Sequence, residues 1–189
     1  MSIAGCSQSI KDLLESRLRE GNNLGDYSIF VLSPRDVSST LENQIALILY
    51  RVESDPNRRH APLPQANPMA PRRTAMVLEL RYLLVVWGKQ SALGEHVMLG
   101  QCMDILDRNA VLAGPLLSDA YGWESDDALK ITLEPLATDE LMRVWDAMNA
   151  DYQLSVGYVV RAVRLAPRIE QDAPMTNMRS LVFAEGRPE

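Results

Sequence analysis

Residues 75–87, AMVLELRYLLVVW, restrict the fold of this 189-residue chain more than any other segment. Met76, Leu78, Leu80, Tyr82, Leu84 and Val86 fall at every second position. Only a β-strand brings residues of that spacing onto one face. Glu79 and Arg81 go to the other face. A strand with an unbroken apolar face belongs in a sheet that another layer covers. Aliphatic side chains must fill most of that core, because aromatics make up 6% of the chain and only two are Phe.

The other elements follow from periodicity and punctuation. Residues 44–52, QIALILYRV, are apolar and rich in β-formers, which predicts a buried strand. Shorter strands are predicted at 27–32, where Ser33-Pro34 stops the chain, and at 128–134. The last strand, 154–165, places Val156, Tyr158, Val160 and Ala162 on one face. Its other face carries Val159 and Val163 with Ser155, Gly157 and Arg161. In residues 3–19, Ile3, Cys6, Ile10, Leu13, Leu14 and Leu18 recur at helical steps, and Gly21 and Gly25 end the helix. A second helix over 91–109 turns Leu99, Cys102, Met103 and Leu106 inward. Gly100 inside it costs on the order of 1 kcal/mol against Ala, which predicts a closely packed neighbour there. A third helix begins at Thr138 as N-cap, with Asp139 and Glu140 favoured by the helix dipole and Leu141, Trp145 and Met148 on its buried side.

The order is α-β-β-β-α-β-α-β. Strands and helices do not alternate strictly, so a doubly wound parallel fold is not expected. The expectation is one α+β domain over residues 1–166, a mixed, mostly antiparallel sheet flanked by about three helices. Two segments stand outside that core. Residues 53–75 hold five prolines and the arginine pairs Arg58-Arg59 and Arg72-Arg73, and a loop of that length is usually functional or disordered. Residues 167–189 are polar, show no sustained period and read as a tail.

A search for reactive chemistry finds little. His60 lies in the proline-rich loop, and His96 follows Glu95 without the second helical His of a zinc protease. Metal sites need three or four ligands, so His96 reads as a solvated helix residue. Cys6 and Cys102 stand apart among apolar neighbours, form no C-x-x-C, and read as small buried hydrophobes of a reducing compartment. No glycine pattern matches a phosphate loop, a dinucleotide turn or a nucleophile elbow. Glu124, Asp126 and Asp127 lack the alternating ligands and turn glycine of a calcium loop and read as a solvated cluster. Trp145 has helical spacing with Leu141 and reads as core, whereas Trp123, in a Gly- and Asp-rich loop, is a candidate interface anchor. No catalytic residue, cofactor or metal is indicated. A formal charge of −6 argues against a phosphate backbone as principal partner. Charges interrupt the first twenty residues, unlike a signal peptide. The longest apolar run, Tyr82 to Trp87, is far below the roughly 20 residues that span a bilayer. Cytosolic synthesis without membrane insertion is expected, at least until some larger particle carries the chain elsewhere.

Four segments, ILYRVESDPNRR (48–59), LELRYLLVVWG (78–88), GEHVMLGQCMDILDRNAVLAGPLL (94–117) and KITLEPLATDELMRVWDAMNADYQLSVGYVVRAVRL (130–165), resemble in order the cap, or tail-terminator, proteins of contractile injection systems of the Photorhabdus virulence cassette type. The resemblance covers roughly residues 1–166. The chain departs from the pattern at Ala110, where the family often has Pro, and in the composition of 53–75. What the resemblance implies is a structural protein. Such proteins form a ring, usually of six subunits, that closes the end of tube and sheath distal to the baseplate, ends polymerisation and joins the two. The implied partners are copies of itself, sheath and inner tube, with no nucleic acid. The interface candidates are Arg58, Arg59, Arg72, Arg73, Trp123, Glu124, Asp126 and Asp127. The alternatives are a small enzyme or ligand-binding domain with a site dispersed in sequence, and the terminator of a true phage tail.

Overall fold

The computed structural model describes residues 3–21, 25–37, 42–55, 60–62, 74–88 and 91–165. Their elements are α1 (Ile3–Glu20), β1 (Ser28–Leu32), β2 (Gln44–Ser54), β3 (His60–Pro62), β4 (Thr74–Trp87), α2 (Ala92–Arg108), β5 (Val111–Ala113), β6 (Ala128–Glu134), α3 (Thr138–Met148) and β7 (Ser155–Leu165). The strands form one sheet in the order β1-β2-β4-β7-β6-β5, with β3 on the β2 side of the start of β4. β1 runs parallel to β2, and every other pair is antiparallel. The expected α+β fold with three helices is the observed one. β4 lies at the centre, as its continuous apolar face requires, between β2 and β7.

The sheet is covered on both faces. α1 and α2 lie over one: Ile10, Leu14 and Leu18 from α1 and Leu99, Cys102 and Leu106 from α2 pack on Leu80, Tyr82, Leu84 and Val160. A hydrogen bond of 2.8 Å between the Ser7 and Tyr82 hydroxyls ties α1 to β4 inside this layer. Both cysteines are buried here, and burial pushes each thiol up to about 12. α3 covers part of the opposite face, where Trp145 packs on Ala46, Ile48, Leu83, Val85 and Trp87. Its indole N–H donates to the Ser155 hydroxyl at 3.0 Å.

Five details differ from the sequence expectations, each for a physical reason. Two register shifts re-aim side chains. The first lies between Leu49 and Arg51 in the β2–β4 ladder, and the second between Leu78 and Leu80 in the β4–β7 ladder. In β7, Val160 pairs Leu80 and Val163 pairs Leu78, so one extra β7 residue bulges out and Val163 joins Val160 in the α1–α2 core. The expected placement of Val163 on the opposite face fails because a bulge breaks strict alternation. Thr138 is the first residue of α3; Ala137 is the N-cap and supplies no side-chain bond. A Cβ placed on Gly100 would meet nothing within 4 Å, so packing within the chain does not require glycine there. The span read as one loop, 53–75, begins inside β2 and contains β3. Short β5 has too few residues to show a period.

Candidate assembly interface

The acidic loop is built as a folded-back turn. Asp127 accepts the Glu124 backbone N–H at 2.8 Å on its carboxylate, and its own N–H donates to the Glu124 carbonyl at 3.0 Å. This is local side-chain-to-backbone bonding of the kind Asp favours in turns. The turn is then clamped to β7 by Arg164. One guanidinium nitrogen lies 3.0 Å from the Asp126 carboxylate; the other lies 2.9 Å from the Asp127 carboxylate and 2.9 Å from the Asp126 carbonyl. Asp127 is buried, its side chain 2% exposed, while Asp126 is open to solvent. The hydrogen bond from Arg164 holds the Asp126 carboxyl below its ordinary range. Glu124 is exposed.

Trp123 packs partly into the α1–α2 core, and its indole N–H donates to the Ser118 carbonyl at 2.9 Å. The N-terminal end of α1 fits closely against it. A Cβ on Gly5 would sit 2.8 Å from the Tyr121 Cβ and 3.0 Å from the Trp123 ring, so only glycine lets the helix approach. Ser9, fully buried, accepts the Ser118 N–H at 2.9 Å and fixes the same loop. The structure therefore brings Trp123, Glu124, Asp126 and Asp127 into one clamped loop. Arg58, Arg59, Arg72 and Arg73 lie outside the described residues.

Sequence reasoning missed a second charged surface. On the sheet face beyond α3, Arg81 pairs with Glu53 at 2.9 Å and with Glu134, and Arg161 pairs with Glu79 at 2.7 Å. Arg161 also donates to Thr132 at 2.9 Å, and the Tyr50 hydroxyl donates to Glu134 at 3.3 Å. The β2 bulge creates this ladder. It puts Arg51 opposite Arg81 and Glu53 opposite Glu79, on one face with Tyr50. The hydrogen bond from Arg81 lowers the Glu53 carboxyl from its ordinary value. This network across four strands was visible only as scattered charges, because pairing partners such as Glu79 and Arg161 lie 82 residues apart.

No group of three or more His, Cys, Asp or Glu side chains among the described residues is placed to hold a metal ion. No helix among the described residues is long and apolar enough to cross a membrane. The described surface thus carries an acidic loop tied down by Arg164, a charged ladder, and exposed apolar side chains such as Phe30 and Leu133.

Two solved structures share the fold. A sheath/tube terminator of an extracellular contractile injection system (PVC), in the extended state, superposes with a TM-score of 0.63 at 18% identity, over 98% of this chain and 65% of its own. The tube-terminating cap of the anti-feeding prophage superposes with a TM-score of 0.60 at 16% identity, over 96% of this chain and 62% of its own. The chain thus spans somewhat under two thirds of the length of each. No curated protein matches the sequence. The model of the Pvc16 N-terminal domain matches residues 6–177, nearly the whole chain, and the protein belongs to that family.

Proposed function

We propose that this chain is a structural subunit of the cap that closes the tube and sheath of a contractile injection system. The observation that carries the reading is the shared fold over 98% of the chain with a sheath/tube terminator, joined to membership of the Pvc16 N-terminal domain family. In this role the protein has no catalytic task. Copies associate head-to-tail into a closed ring, usually of six, because a heterologous contact that closes on itself yields a finite assembly. The ring meets sheath and inner tube and ends their growth. Assembly takes place in the cytoplasm, and the finished particle is either released or anchored.

The arginines of the proline-rich segment are the proposed reach toward neighbours. Prolines limit the entropy lost on docking, and guanidinium groups make forked bonds to carboxylates. Arg164 already engages Asp126 and Asp127 within the subunit, so the proposed acceptor in this loop is exposed Glu124, with Trp123 beneath it. Exposed pairs contribute only about 0–1 kcal/mol each, so the role is in assembly and not in folding. Replacing Arg58, Arg59, Arg72 and Arg73 together with Ser is expected to leave the melting temperature of the free subunit within about 2 °C of wild type. Particles made with the fourfold variant should carry overlong or ragged tubes and sheaths, with the difference from wild type largest at low salt, because rising salt screens the wild-type pairs as well. Normal lengths and full cap occupancy, measured by electron microscopy, would remove these arginines from the interface.

A further inference from the structure

A groove of about 360 Å³ lies between the C-terminal half of α2 and the outer edge of β6. Its apolar wall includes Met103, Leu106, Ile131 and Leu133. Leu133 is 51% exposed, large for an aliphatic side chain on a sheet. Asp104 and Asp107 stand on the rim, and no Lys or Arg lines it. Asp104 is paired with Arg108 at 2.9 Å, whereas Asp107 makes no ion pair with any described residue. Tyr158 lines the groove beside this carboxylate, and burial together with nearby Cys102 and Asp107 pushes its phenol up to about 12.

The groove also runs along an unfinished strand edge. β5 pairs β6 only from Ala128 to Lys130, and the Ile131 N–H makes one further bond, 2.8 Å, to the Ala110 carbonyl. Backbone groups alternate sides along a strand, so the Leu133 N–H and carbonyl point the same way as those of Ile131, where no described strand lies. An apolar channel beside an open edge suits an extended segment, which supplies backbone bonds and one side chain to the channel. Its acidic rim asks for a cationic head on an apolar stem.

We propose that this groove takes an extended segment of a different protein, which adds to β6 beside Leu133 and lays a Lys or Arg side chain along the channel toward Asp107. The described edge strands β1, β3 and β5 carry no Lys or Arg, so pairing of those edges from a second copy with β6 would bring no cation to Asp107. The inference needs only a partner strand and holds or fails independently of the cap reading.

The test is a nitrogen-15 NMR titration of the full chain with a nine-residue peptide that alternates valine and threonine around one central arginine. Saturable shifts centred on the Leu133 and Asp107 amides are expected. A glutamate in place of the arginine should weaken binding about tenfold or more, as should reversing any close charge-assisted contact. Asp107→Asn should weaken it about fivefold, with Asp107→Glu retaining most of the affinity. No saturable shift at Leu133, equal binding of the glutamate peptide, or indifference to Asp107→Asn would each overturn the proposal. So would self-association of the unliganded chain that Leu133→Asp abolishes, since the occupant would then be a second copy.

Discussion

Trp145→Ala is expected to lower stability by about 3–5 kcal/mol, the range for deleting a large buried aromatic side chain. The indole is 2% exposed and is the principal link between α3 and the sheet, packed on Ile48, Leu83 and Val85. Truncation leaves a cavity across that layer and deprives the Ser155 hydroxyl, 8% exposed, of its donor at 3.0 Å. The edge-on contact with Tyr152, 6.0 Å between ring centroids at 71°, goes with it. For a chain of this length the melting temperature should fall by roughly 10–15 °C, against a total stability of about 5–15 kcal/mol. Ser155→Ala separates hydrogen bonding from packing, and about 1–3 kcal/mol is the expected loss when the indole stays packed and its N–H is left without an acceptor. A melting temperature within 2 °C of wild type for Trp145→Ala, measured by circular dichroism, would place the side chain at the surface.

Arg164→Ala should be the second most damaging change, at about 3 kcal/mol, because it strands the buried Asp127 carboxylate. Most of that penalty is the uncompensated charge, not the value of the pair itself. The exposed contact with Asp126 adds little. Arg164→Lys should recover only part of the loss, since one ammonium cannot reach both carboxylates and the Asp126 carbonyl together. The pH dependence follows from Asp126, whose carboxyl is lowered on folding, first by the hydrogen bond from Arg164. Its contribution is fully present above the ordinary carboxylate pKa and is lost as pH falls through the lowered folded value. Urea unfolding of wild type and Arg164→Ala at neutral pH checks the main effect. Equal midpoints would mean that the loop stands without its clamp.

The elements that the sequence revealed are those whose burial writes a long period. α1 exposes its stripe over the whole of Ile3–Glu20, and β4 repeats apolar residues at every second position through Val86. Trp145 was legible as core for the same reason. The two bulges were not, because each is a property of a pair of strands: the local sequence at Tyr50 or Arg161 gives no sign that a partner advances by one residue fewer. Thr138 has the chemistry of a cap, but the chain enters the helix one residue earlier. The acidic residues of the loop were visible, and their partner was not, since Arg164 follows Asp126 by 38 residues. Asp126 and Asp127, read from the sequence as a solvated cluster, are held by that clamp, with Asp127 buried and Asp126 open to solvent. The open groove at Leu133 was invisible for a related reason: it exists only because β5 ends before β6 does.

The proposed cap role is tested most directly by the position of the chain on an intact particle. Particles purified from cells that express the chain with a gold-binding tag should show label at one end, distal to the baseplate, and none along the shaft. Label distributed along sheath or tube, label at the baseplate, or unlabelled particles with normally closed ends would contradict it.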